Sequence, residues 1–154
     1  MLVPYSSMSH NSKVWIYQSD REILNQEINL IRNRLQSFCD DWMSHGKPVK
    51  SSFKLSPWFI CFFVDESMDQ TSGCSIDSSV TIIKSIQNEY DINFFNRMNI
   101  VFIEDKQTKI LSLVDFKKCI KPDIMIYNNM ITVKKEFEEN RLLPVKDSWL
   151  NQYL

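Results

Sequence analysis

Glycine is almost absent: Gly46 and Gly73 are the only two in 154 residues. A phosphate-cradling loop needs glycines so that backbone amides can surround the ligand, in the pattern Gly-x-x-x-x-Gly-Lys-Ser/Thr. Neither glycine here belongs to such a run. Cysteine occurs four times, as Cys39, Cys61, Cys74 and Cys119, with no Cys-x-x-Cys pair and only His10 and His45 as nitrogen ligands. That spacing excludes a zinc finger, and neither a metal nor a cofactor is expected. Surplus charge is missing as well. A net charge of −1 and a pI near 6.1 provide no excess of cations for gripping a nucleic-acid backbone. The longest apolar run, Trp58 to Val64, is far short of the roughly 20 residues that span a bilayer, so no membrane partner is expected. Met1 to Asn11 has no cationic stretch followed by an apolar one, which removes a secretory signal and makes the cytoplasm the expected compartment.

What is present reads as one folded domain over residues 13–154, preceded by a Ser-rich, aperiodic extension over 1–12 that is expected to be flexible. Hydrophobic residues at 44% with charged residues at 24% suit a globular core and not a disordered chain. Val14-Trp15-Ile16-Tyr17 has the β-branched and aromatic content of a buried strand. Ser19-Asp20-Arg21-Glu22 matches a capping box and predicts a helix start. Leu24, Ile28, Ile31, Leu35, Phe38 and Trp42 then fall on one helical stripe that is to end by His45-Gly46-Lys47-Pro48. The stripe suits a helix lying on a sheet, and equally the seam of a homodimer through the Leu24–Trp42 helix.

Val49 to Leu55 alternates as a strand with one wet face, and Trp58 to Val64 is apolar throughout, as in a central strand covered on both sides. A second helix carries Ile76, Val80, Ile83, Ile86 and Tyr90 on its buried stripe, and Asp91–Asn96 reads as a connection with one helical turn. Met98–Ile103 is the next strand, Glu104–Gln107 a hairpin turn and Lys109–Leu113 its partner. A short helix near Asp115–Ile120, a strand at Ile124–Tyr127, a Thr132-capped helix and an apolar tail over Leu142–Leu154 complete the chain. The order β-α-β-β-α-β over residues 13–103 is that of a split β-α-β, ferredoxin-like core, with a C-terminal β-α-β-α extension. The expected class is α+β, helices packed on a mixed sheet.

Several markers together resemble a family of uncharacterised Bacteroidota proteins that often carry the label "ABC transporter ATPase". They are Val14-Trp15-Ile16-Tyr17-Gln18-Ser19, Trp42 with His45-Gly46, Val64-Asp65-Glu66, Ser72-Gly73-Cys74-Ser75-Ile76-Asp77-Ser78-Ser79, Phe95 with Arg97-Met98, and Asp147-Ser148-Trp149. The resemblance implies a lineage and no reaction. The missing P-loop speaks against the ATPase label.

Small polar and nucleophilic residues concentrate in Ser72–Ser79, at the start of the second helix. Open amide donors and the positive end of the helix dipole favour an anion there, so Gly73, Ser75 and Ser72 are candidate contacts for a small anionic ligand. The same field would lower the Cys74 thiol, making Cys74 a candidate nucleophile, with His45 and Asp77, Asp65 or Glu66 as candidate base or orienting groups. Plain helix building explains the same stretch: Ser75 and Asp77 as first-turn residues, Gly73 easing a turn, Cys74 as filler. Asp65, Glu66, Asp69 and Asp77 read as a solvated acidic strand end, and Arg97 as the partner of a carboxylate. Lys134-Lys135 with Glu136, Glu138 and Glu139 reads as a solvated helix face. The four tryptophans and Cys39, Cys61 and Cys119 read as core. The expected function is a binding or interaction module for an unidentified protein or small anion, with a thiol-dependent enzyme using Cys74 as the alternative.

Overall fold

The computed structural model describes residues 1–65 and 73–154, with side chains of the second helix from Ile76 onward. The fold is α+β. Strand β1 (Lys13–Gln18) lies antiparallel to β5 (Phe59–Val64), and β5 lies antiparallel to β4 (Ser51–Leu55), giving the order β1-β5-β4. All six residues of β5 are buried because each of its faces has a cover. Ile60, Phe62 and Val64 pack with Ile31 and Leu35 of α1 (Asn25–Asp41) and Ile83 and Ile86 of α2 (Gly73–Tyr90). Phe59, Cys61 and Phe63 face the other way, toward Val101 and Ile131. Burying a side chain of this size contributes about 1.5–3 kcal/mol, so β5 is the largest single source of core stability in the sheet.

Val101 belongs to a second sheet, ordered β7-β6-β8-β9, built from β6 (Asn99–Glu104), β7 (Gln107–Ser112), β8 (Met125–Tyr127) and β9 (Leu142–Pro144). Its far face carries Ile100, Phe102 and Ile126 against Phe116 of α3 (Leu113–Cys119) and Val145 and Leu150 of the C-terminal turns. The layers therefore run helices, sheet, sheet, helix and turns. The split β-α-β order is realised in its first three strands, whose spatial order is the one that arrangement requires. Its fourth strand, β6, does not pair with β1 and instead begins the second sheet, so the expected single mixed sheet becomes two sheets whose ladders are antiparallel. Both faces of β6 are apolar, and leaving the first sheet lets both be covered.

Local chemistry revises several boundaries. Ser19 does not cap a helix; it is buried, and its hydroxyl donates to Trp58 O at 3.1 Å. Helix α1 starts at Asn25, where the Glu27 carboxylate accepts from Leu24 N at 2.9 Å and is held by a two-pronged bond from Arg21, both prongs 2.9 Å. Ile31, Leu35 and Trp42 of the expected stripe are buried within the chain, as is Cys39, whereas Leu24 precedes the helix and is exposed. The helix ends at Asp41, and His45-Gly46 is the turn of a small hairpin joining β2 (Met43–Ser44) and β3 (Lys47–Pro48). Both turn residues have positive φ, 52° and 77°, the backbone of a tight two-residue turn. Asp105-Lys106 makes the predicted β6–β7 turn the same way, with φ of 51° and 63°. Asp91–Asn96 holds no helical turn; it buries Ile92 and Phe94.

The N-terminal residues, expected to be loose, lie on the body. Met8 and Ser12 are buried, and Val3 N donates to Ser51 O at 2.9 Å. Lys134 in α4 (Lys134–Asn140) is not on a solvated face: it is 4% exposed and its ammonium donates to Tyr5 O and Met8 O at 3.0 and 2.7 Å. Thr132 precedes the helix cap, which is Val133. Cys119 is exposed, unlike Cys39 and Cys61. No helix among the described residues is long and apolar enough to cross a membrane.

Candidate functional site

The departure of β6 leaves part of the outer edge of β1 without a neighbouring strand. Near its start the edge is covered, since Val14 N donates to Thr132 O at 3.0 Å and Lys13 bridges Val133. Past that point no backbone bond among the described residues joins the chain at 129–131 to β1, and Met130 is exposed with its N–H turned back to Asn128 Oδ1 at 3.0 Å. Between the open edge, α2, the 94–97 segment and β6 lies a cleft of about 630 Å³, within the range of small-ligand sites.

Side chains of several elements fix its shape. Gln18 closes one end: its Nε2 donates to Asn99 O at 3.0 Å and its Oε1 accepts from Asn129 Nδ2 at 2.8 Å. Tyr17 reaches α2, with its hydroxyl 2.8 Å from Ser79 Oγ. Ser79 gives its one proton to Ile76 O at 2.7 Å, so Tyr17 is the donor of that pair. Burial raises the Tyr17 pKa, with Ser79 and the nearby Arg97 opposing, and the phenol stays protonated near neutrality. The Phe95 ring stands edge-on to Tyr17 at 5.8 Å. Asn93 and Asn96 hold that segment through side-chain bonds to Phe95 N and Met98 N.

The lining has a definite character. Ile76, Phe95, Met130 and Trp149 expose large apolar surface on it, so Trp149 is not the core residue expected. Lys84 and Arg97 supply two positive charges, neither in an ion pair among the described residues; Arg97 thus lacks the carboxylate partner expected of it. No Asp or Glu among the described residues lines the cleft. Exposed apolar area next to uncompensated cations suits a ligand with an apolar body and an anionic group.

The residues singled out in the sequence fall unevenly. Ser72, Glu66 and Asp69 lie outside the described residues, as do the side chains of Cys74 and Ser75; Gly73 is the first residue of α2. From the same stretch, Ile76 and Ser79 reach the cleft, one on its lining and one through Tyr17. Asp77 is exposed on α2, and His45 is exposed at the hairpin tip. Asp65 pairs with Lys50 at 3.6 Å. No group of three or more His, Cys, Asp or Glu suited to a metal occurs among the described residues. Ser78 belongs to a different hollow, between α1 and α2, where Arg34 is already committed to Glu89 and Ser85 at 2.6 Å each.

Sequence reasoning missed Gln18, Lys84 and Asn129. A glutamine closing a strand of apolar residues was the available signal, since a buried amide needs partners on another element. No family model matches the chain, and neither a curated protein nor a solved structure is matched by it.

Proposed function

We propose that this protein is a binding module whose ligand seat is the cleft beside β1, and that its ligand combines an apolar body with an anionic group. The observation that carries the reading is the pairing of exposed Ile76, Phe95, Met130 and Trp149 with Lys84 and Arg97 around one hollow that no described carboxylate neutralises. On this proposal the anion, expected at the start of α2, binds farther along the same helix, beside its Val80 and Lys84, which line the cleft. The resemblance to the Bacteroidota family adds a lineage to this proposal and no chemistry.

Anilinonaphthalene sulfonate has the required apolar body and anion and serves as the probe. The native protein is expected to give a saturable, one-site fluorescence enhancement. Val80→Trp, which fills the cleft, and Arg97→Glu, which reverses one charge, are each expected to weaken it at least tenfold, with unchanged urea midpoints showing that the fold is retained. Equal probe binding by the native protein and both variants overturns the reading.

A further inference from the structure

We infer that the occupant of the cleft is an extended polypeptide segment of a partner protein, alternating acidic and apolar side chains, which adds to the first sheet as a strand on β1. The inference rests on the cleft being the ligand seat and names what sits there.

Its first support is the backbone. Successive peptide groups in a strand point to opposite edges, and the Val14 N–H points to Thr132, away from β5. Ile16 and Gln18, two and four residues on, therefore turn their own N–H and C=O groups to that same outer side. Among the described residues no backbone group there takes them up. A strand edge left with free donors and acceptors is a template for another chain, and strand addition is a recurrent mode of peptide recognition. A small amphiphile would satisfy the walls of the cleft and leave this edge unmet.

The second support is what the two sides of an added strand would meet. Tyr17 points to α2, as its bond to Ser79 shows, and a residue placed opposite it points the same way, toward the side that carries Lys84 and Arg97. Ile16 packs with Val101 and Ile131, so a residue opposite Ile16 points into apolar surroundings near the second sheet. Side chains alternate along a strand, so charge complementarity on one side and apolar lining on the other demand acid, apolar, acid. The open edge runs from Trp15 to Gln18, about 13 Å at the rise of a strand, enough for a segment of roughly four residues.

The test titrates the full-length, ¹⁵N-labelled chain with an acetylated, amidated Glu-Val-Glu-Val-Glu peptide. The expected result is at least tenfold slower hydrogen exchange at the Ile16 amide on saturation. Lys-Val-Lys-Val-Lys is expected not to bind the native chain and to bind Lys84→Glu/Arg97→Glu. An analogue with its central amides N-methylated, unable to form a ladder, is expected to bind at least tenfold more weakly than its parent. Unchanged Ile16 exchange at saturating Glu-Val peptide, or equal binding by the N-methylated analogue, overturns the inference. If anilinonaphthalene sulfonate occupies the cleft and the peptide does not, the strand occupant is wrong and the ligand seat stands. If neither occupies it, both are wrong.

Discussion

Strands β5 and β1 are partners over six residue pairs and live in opposite circumstances. β5 is paired on both edges, to β1 and β4, and buried on both faces. β1 is paired fully on one edge, briefly on the other, and then borders a cleft. The two sequences differ accordingly. β5 is Phe59-Ile60-Cys61-Phe62-Phe63-Val64, while β1 has Tyr17 and Gln18, whose polar ends are needed where the strand leaves the interior. A strand with all its hydrogen bonds met can be wholly apolar; one with an open edge uses side-chain amides and hydroxyls to hold its surroundings in place.

The comparison can be broken most severely at Phe62, fully buried against Phe38, Trp42 and Tyr17. Phe62→Ala is expected to cost about 3–5 kcal/mol, read as a lowered urea midpoint. The next effect also belongs to β5. Burial pushes the Cys61 thiol up from 9.0 to about 11. A raised folded-state value means the folded chain favours the neutral thiol, so its contribution is intact below pH 9 and is lost as pH rises toward 11. The loss is on the order of 2–3 kcal/mol at full ionisation. Cys61→Val is expected to flatten the decline in stability between pH 9 and 11, by chemical denaturation at each pH; an unchanged slope relative to the native chain would show that Cys61 does not contribute.

On β1 the effects are smaller. Gln18→Leu leaves Asn99 O and Asn129 Nδ2 without their partner and is expected to cost roughly 1–3 kcal/mol. Its sharper signature is at the cleft: binding of the anionic probe is expected to fall further than in a control variant of equal stability loss elsewhere. The smallest perturbation changes no residue. In native-state hydrogen exchange the Ile16 amide is expected to exchange far faster than that of Phe62, and equal protection would erase the contrast between the strands.

Much of this architecture was legible in local pattern. The uninterrupted apolar run of β5 announced a strand covered on both faces, and the stripe of α1 announced its packing side. His45-Gly46 was visible but ambiguous, because a helix terminus and a tight hairpin both need a residue with positive φ. The start of α1 misled for a similar reason: Ser19 and Glu22 have capping chemistry, yet Glu27, fixed by Arg21, performs it. The cleft was not legible, because it depends on which edge β6 declines to join. That choice is settled by long-range burial of Ile100, Val101 and Phe102 between two layers, and no local run of residues encodes it. Ser72–Ser79 drew attention through its nucleophiles, and of that stretch Ile76 and Ser79 make the described contacts with the cleft and its wall.

The amide of Asn129 has a further consequence. Its oxygen accepts from Arg141 Nη1 at 3.1 Å, and its nitrogen donates to Gln18, whose own nitrogen donates to Asn99 O. Arg141 itself is wedged among Phe59, Tyr127 and Phe137 and has only donors to give. Every proton in this relay therefore points one way, from the guanidinium toward the second sheet, and neither amide can be flipped without setting donor against donor or acceptor against acceptor. A cation caged by aromatic rings thus sets the polarity of the end wall of the cleft.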